Sequence, residues 1–164
     1  MVGSLGTLGL VAEAILRTNP IPPVSRWFTG PCTNPMDATT AVLAPSAVLW
    51  DGSQVWVQLE GHGPDVAAQH ADLLRAVPVT EVDGPPSLPD HRWSLSPSEV
   101  LTLGPDSPHD TGGFVATVGL GVVFAERPAP SRPLTPAVAE ITRRLKDNFD
   151  PTHRLNPGRS VAVG

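Results

Sequence analysis

Residues 46–60 carry the pattern that most restricts how this chain can fold. Two runs rich in β-forming residues, SAVLW and QVWVQLE, are separated by Asp51-Gly52-Ser53. An Asp-Gly pair between two such runs is the strongest short-range signal for a β-hairpin, because glycine adopts the positive φ that a tight turn requires. The stretch therefore predicts two antiparallel strands, with Trp50 on the first and Trp56 on the second.

A helix and another strand are predicted directly after this hairpin. Residues 63–77 place apolar side chains at helical spacing, and Pro78 follows as a stop. Residues 79–82 then form a short β-rich run. Strand, strand, helix and strand within about 40 residues are typical of an α+β layer. We expect an antiparallel sheet of about five or six strands with helices on one face.

Proline and glycine divide the remaining sequence into short elements. There are 20 Pro and 15 Gly, and they cluster between apolar runs, so each run is read as a separate element. Residues 3–17 favour a strand with one partly solvent-exposed face, and a short helix is the competing interpretation. The other predicted elements are helices at 33–43, 96–103 and 135–148, a loop with a short strand at 25–32, and strands at 92–95 and 114–124, the last as two short strands or one bulged strand.

Charge and cysteine usage narrow the classes of partner. The formal net charge is −5, which argues against a nucleic-acid partner because phosphates require a basic face. Arg143, Arg144 and Lys146 lie near the end of the last predicted helix, where cations offset the helix dipole. The single Cys32 fits a reducing compartment and a buried small side chain, so we expect a cytoplasmic protein. No run approaches the roughly 18 apolar residues of a membrane span.

Metal and nucleophile motifs give no strong signal. The five histidines form no H-x-x-x-H or H-E-x-x-H pair, and no G-x-S-x-G elbow is present. Asp106, His109 and Asp110 share one polar loop and could ligate a metal weakly, although solvent-exposed loop residues are the better interpretation. We expect no metal site.

The last sixteen residues are heavily constrained for a terminal segment. They read FDPTHRLNPGRSVAVG, in which Pro fixes φ and Gly permits positive φ, so successive turns are expected. Asn156 carries an amide that both donates and accepts hydrogen bonds. That amide either contacts a ligand or caps its own turn, and both interpretations stay open. Arg154 and Arg159 are candidates for an anionic partner, with solvated surface arginine as the alternative.

Two segments at opposite ends of the chain resemble FAD-linked oxidases of the vanillyl-alcohol oxidase/PCMH superfamily. The tail is similar to their C-terminal signature F-D-P-x-x-x-L-N-P-G-[KR]. Residues 6–13, GTLGLVAE, resemble the G-T-L-G-[IV]-[IVL]-x-E segment that closes their FAD-binding domain. Between them, VLWDGSQVWVQLEGHGPDVAAQ looks like the hairpin and helix of the bacterial glycolate oxidase FAD-binding subunit. The chain is most similar to the C-terminal half of that subunit.

The resemblance implies a division into domains and a set of site residues. Residues 1–23 would be the terminal strand segment of an FAD-binding domain, and residues 24–164 a C-terminal cap domain on the substrate side with a flavin-proximal tail. The cofactor would be FAD and the substrate a 2-hydroxy acid such as glycolate. The residues expected to line the flavin are Gly6, Thr7, Leu8, Gly9 and Val11, with Asn156 near the ring. No catalytic residue is assigned.

The resemblance also implies partners. The main part of the FAD-binding domain would precede Met1, so we expect a chain that is inactive alone. A second FAD subunit and an iron–sulfur subunit are further expected partners. Two alternatives remain: a non-catalytic α+β binding or assembly module derived from such an oxidase, and a small cofactor-independent enzyme that uses the Asp106–Asp110 loop.

Overall fold

The computed structural model describes residues 6–18, 20–130 and 135–158. Within this part, residues 20–129 form one compact unit. Residues 6–18, residue 130 and residues 135–158 group together as a second unit. Seven strands and three helices belong to the first unit, and one further helix belongs to the second.

The first unit is built on one antiparallel sheet. Its strands run in the order β4-β1-β3-β2-β6-β7-β5, and every neighbouring pair is antiparallel. The predicted α+β class is confirmed, with seven strands where about five or six were expected. The strands are β1 (Val24–Pro31), β2 (Ala47–Trp50), β3 (Gln54–Gly61), β4 (Thr80–Val82), β5 (His91–Ser94), β6 (Phe114–Thr117) and β7 (Val122–Ala125).

The predicted hairpin is confirmed as β2 and β3. Val48 lies opposite Val57, and Trp50 lies opposite Val55. In the turn, Asp51 Oδ1 accepts the backbone N–H groups of Ser53 and Gln54 at 2.8 and 2.7 Å. These two bonds satisfy donors that the turn removes from the strand ladder, which explains why Asp precedes Gly here.

The helices of this unit, α1 (Pro35–Ala41), α2 (Gly63–Ala76) and α3 (Pro97–Val100), cover one face of the sheet. Each begins where the sequence predicts it. The Asn34 side chain accepts the N–H of Met36 at the start of α1, and Ser96 forms a reciprocal capping box with Glu99 at α3. Pro is in the first turn of each helix, where its missing N–H costs no helical bond.

The helix-covered face of the sheet holds the hydrophobic core. Alternate residues of β3, namely Val55, Val57 and Leu59, are fully buried there. The core has two halves. The first packs β1 and β3 against α1 and α2, and the second packs Trp50, Trp93 and neighbouring side chains against Val100 of α3. Both buried tryptophans have a partner for the indole N–H, since Trp50 donates to the Cys32 carbonyl and Trp93 to the Arg127 carbonyl.

The opposite face of the sheet is less covered and also carries apolar side chains. Trp27, Trp56 and Phe124 are half-buried there, as the strand register and the two-residue alternation require. Leu49 and Val115 are buried on this face and belong to neither half of the core. The first unit thus has one face of its sheet closed by its own helices and a second face with large apolar groups at its surface.

Two segments differ from the expected structure. Residues 24–31 form a full eight-residue strand, paired with β3 on one side and β4 on the other, where a loop and a short strand were predicted. Residues 9–18 adopt neither the predicted strand nor the competing short helix. Residues 3–5 of that prediction lie outside the described part of the chain. The last predicted helix is confirmed as α4 (Pro136–Phe149), with Thr135 as its cap.

Candidate functional site

The second unit brings the two ends of the chain into contact. We call residues 6–9 the opening turn and residues 149–158 the tail. Lys146, near the end of α4, donates from Nζ to the Thr7 carbonyl at 2.6 Å across 139 positions of sequence. The same ammonium donates to Asp150 Oδ2 and to the Leu155 carbonyl, both at 2.7 Å. We call this group of bonds the Lys146 cluster, and it joins the opening turn to the tail.

Asp150 organises the tail from the centre of this cluster. Asp150 is buried, with 4% of its surface exposed. Its carboxylate accepts hydrogen bonds from the Leu155 N–H at 2.9 Å and from the Arg154 N–H at 3.1 Å. Thr152 Oγ1 donates to the same carboxylate at 3.3 Å. One carboxylate thus satisfies backbone donors of the turn that follows α4, which fixes the path of the tail.

These bonds keep the Asp150 carboxylate ionised. The hydrogen bond from the Lys146 ammonium is the main cause that holds the pKa of Asp150 well below its ordinary value. The N–H groups of Leu155 and Arg154 and the Lys146 charge act in the same direction, while burial of the carboxylate opposes them. The Asp150 carboxylate therefore stays ionised throughout the neutral pH range.

Asn156 lies directly against the opening turn. A Cβ added to Gly6 would come within 2.9 Å of Asn156 Nδ2, so any larger residue would have to displace this amide. Both residues have positive φ, +73° for Gly6 and 43° for Asn156, which glycine and asparagine tolerate better than other residues. The Gly6 backbone and the Asn156 amide are both exposed, and together they form one small polar surface.

The predicted flavin-lining residues divide into three groups. Gly6, Thr7 and Asn156 are brought together, and Thr7 is 2% exposed with its carbonyl in the Lys146 cluster. Leu8 and Gly9 complete the opening turn and are half-buried. Val11 is 66% exposed in an irregular stretch. Among the candidates for an anionic partner, Arg154 is exposed, and Arg159 lies outside the described residues.

Lys146 and Asp150 are site residues that the sequence reasoning missed. Lys146 was interpreted as a cation that offsets the helix dipole, an interpretation that did not include its contact with Thr7. A signal was present, because Asp150 follows Lys146 by four positions at the C-terminal end of a helix. An acidic residue is unfavourable there for the dipole, and acid-before-base is the better order for a helical pair. A lysine followed four positions later by an aspartate at this end of a helix therefore indicates that the two side chains make contacts outside the helix.

A second candidate site is an open cleft in the first unit, residues 20–129, which we call the sheet unit. It has a volume of about 760 Å³ and lies between the Asp51–Ser53 turn and the loop at 101–113, with Trp50 and Phe114 among its lining residues. The carboxylates that line it are engaged, Asp51 by its own turn and Asp110 by an ion pair with Arg127. His109 Nε2 lies 3.7 Å from Glu99 Oε1, beyond hydrogen-bond distance.

The cleft therefore gives little support to an enzyme built on the Asp106–Asp110 loop. Asp106 is exposed and does not line the cleft, and Asp110 is held by Arg127. Among the described residues, no group of three or more His, Cys, Asp or Glu side chains is placed to hold a metal ion. Within the same residues, no helix is long and apolar enough to cross a bilayer.

Comparison with known proteins returns no match to any family model, curated protein or solved structure. The resemblance to FAD-linked oxidases thus depends on the motifs alone. Where the two motifs meet, the space that a Cβ of Gly6 would take is occupied by the Asn156 amide. An amide both donates and accepts hydrogen bonds, which is the chemistry that the heteroatoms of a flavin ring require.

Proposed function

We propose that this chain is the C-terminal portion of an FAD-dependent oxidoreductase that oxidises a 2-hydroxy acid such as glycolate. The observation that carries the proposal is the contact between the opening turn and the tail. These two segments hold the two motifs that resemble FAD-linked oxidases, and the Lys146 cluster joins them across 139 positions of sequence.

Each residue of this contact has a chemical task in the proposal. The Asn156 amide, beside the Gly6 backbone, would hold heteroatoms at the edge of the flavin ring. When bound, the flavin would supply the hydride-transfer chemistry that oxidation of a 2-hydroxy acid requires. The protein contributes binding and orientation, and Arg154 is an exposed cation available to an anionic group.

The sheet unit serves as the substrate-side cap in this proposal. Its helix-covered face is closed by the core, and its opposite face carries half-buried Trp27, Trp56 and Phe124.

The remaining parts of the enzyme belong to the proposal as partners. An FAD-binding domain contributes the contacts to the pyrophosphate, and a second FAD subunit and an iron–sulfur subunit complete an oxidase complex. We place the complex in the cytoplasm, because the one cysteine, Cys32, is buried and reduced.

Equilibrium dialysis of the purified chain against FAD tests the proposal. Wild-type protein is expected to retain FAD weakly, and Asn156→Gly, which keeps the positive φ, is expected to weaken retention about fivefold through loss of one or two hydrogen bonds. His153→Gly is the matched control, since His153 also has positive φ, at 52°, in the same tail. Retention that is absent, or equal in all three proteins, contradicts the proposal and favours the non-catalytic module.

A further inference from the structure

We infer that Lys146 is a positioning residue of the flavin-site edge, an inference that rests on the proposed function. The Lys146 ammonium holds the opening turn and the tail as one preformed unit. Asn156 is thereby fixed against Gly6 before flavin binds. Lys146 does not itself touch the ligand in this assignment, because its own hydrogen bonds are all made to the protein.

The hydrogen-bonding capacity of Lys146 is fully used within the unit. An ammonium has three N–H donors, and the three acceptors at 2.6 to 2.7 Å are the Thr7 carbonyl, Asp150 Oδ2 and the Leu155 carbonyl. The side chain is 21% exposed and its carboxylate partner is 4% exposed. Charge-assisted bonds in so sheltered a place are stronger than those of a surface pair.

The three acceptors lie in the two segments that the ammonium joins. Thr7 is in the opening turn, and Asp150 and Leu155 are in the tail, where Leu155 immediately precedes Asn156. The ammonium therefore holds the residue next to Gly6 and the residue next to Asn156, and so contributes to the position of the Asn156 amide against Gly6.

Loss of Lys146 would lower the fraction of protein in which the opening turn and the tail are in contact, and would thereby lower the affinity for flavin. A ligand that binds one conformation has an apparent affinity reduced by the fraction of protein in that conformation. Lys146→Met keeps the length of the side chain, removes the charge, and leaves the sheltered Asp150 carboxylate without its ammonium. We expect the unit to open and FAD to bind at least about fivefold more weakly.

Amide hydrogen exchange followed by NMR reports the assembled state directly. The Arg154 and Leu155 N–H groups both donate to Asp150, so their protection measures whether the tail is in place. In Lys146→Met we expect this protection to fall at least about tenfold. Arg144→Met is the matched control on the same helix, because Arg144 is exposed and pairs only with Glu140 among the bonds described. It should leave protection unchanged.

Two further variants separate the role of the ammonium from loss of folding. Lys146→Met with Asp150→Asn removes both charges and leaves an amide oxygen that accepts from one of the two tail N–H groups. No charge is then left buried without its partner, so this variant should be better protected than Lys146→Met alone. Lys146→Cys in a Cys32→Ala background can be alkylated with 2-bromoethylamine. The S-aminoethyl side chain that results has the length of a lysine side chain and again ends in an amine. Recovery of both protection and FAD affinity on that treatment is expected.

The outcomes distinguish this inference from the proposed function. Unchanged protection in Lys146→Met overturns the inference, whatever the behaviour towards FAD. Lost protection with unchanged FAD affinity also overturns it and leaves the proposed function standing. A wild-type chain that binds no FAD overturns the proposed function and with it the flavin role of Lys146, even when protection depends on the ammonium.

Discussion

Gly6 is the residue whose replacement tests the edge of the site most simply. An alanine there is strained at a φ of +73° and places a Cβ within 2.9 Å of Asn156 Nδ2. Gly158→Ala is the matched control, because it has a φ of +81° but open space around the new Cβ. Gly6→Ala is expected to lower amide protection of the tail about tenfold and Gly158→Ala only severalfold.

The steric part of this effect has its own check. If the clash with Asn156 is the cause, Gly6→Ala combined with Asn156→Gly should recover most of the protection that Gly6→Ala loses. Equal loss in the single and the double variant would show that the positive φ alone is responsible.

Cys32 offers a second prediction at this scale. Burial, reinforced by the charge of Asp37, raises the pKa of its thiol, so little thiolate is present at pH 7 to 8. Labelling by a disulfide reagent at pH 8 should be at least about 100-fold slower in the folded protein than in urea. Equal rates in the two conditions would contradict the burial of this side chain.

Sequence reasoning named some residues of the contact between the opening turn and the tail and missed others for a definable reason. Gly6 and Asn156 were predicted as site residues because they lie in the two segments that resemble FAD-linked oxidases. Lys146 and Asp150 were missed because their function lies in a contact with Thr7, and a pattern of sequence spacing does not contain that distance. Val11 was grouped with the other lining residues by its motif, yet it is exposed away from them.

Among the secondary-structure elements, the connection between β6 and β7 makes the sharpest prediction. It contains Gly119 and Gly121, with φ of +84° and +72°. A Cβ at Gly121 would lie 2.1 Å from the Leu95 carbonyl oxygen, whereas one at Gly119 would meet open space. Gly119→Ala should cost about 1 kcal/mol of unfolding free energy and Gly121→Ala about 3 kcal/mol or more.

Urea unfolding followed by tryptophan fluorescence measures this difference, since all four tryptophans lie in residues 20–129. Gly63→Ala provides a further control, because a Cβ there meets nothing at the start of α2. Similar losses for Gly119→Ala and Gly121→Ala would mean that the close approach to Leu95 is not maintained in solution.

Elements with local signals were predicted well, and elements that depend on distant partners were not. The β2–β3 hairpin, α2, and the caps of α1 and α3 are set by turn and cap residues that lie next to each other in sequence. Strand β1 was reduced to a short strand because its sequence, VSRWFTGP, alternates poorly and ends in Gly-Pro. Its length comes from pairing with β3 and β4, which propensity alone does not reveal.

For the molecule as a whole, we expect a fall in pH to lower the stability of the unit that contains the tail. Because the folded-state pKa of Asp150 is lowered from 3.8, its stabilising contribution is fully present above that value and is lost as pH falls through the depressed pKa. Tail protection, corrected for intrinsic exchange, should therefore fall below pH about 4, by at most about tenfold per pH unit. Asp150→Asn should be poorly protected already at pH 6 and should lack this dependence.

We propose that the opening turn and the tail form the edge of a flavin site. The most direct test is a titration of isotope-labelled chain with FAD, followed by amide chemical shifts. We expect saturable changes, with a dissociation constant of order 1 mM for a partial site, concentrated at Gly6, Thr7, Leu155 and the Asn156 side chain. Shifts confined to the cleft at residues 101–113, or no shifts at millimolar FAD, would contradict it.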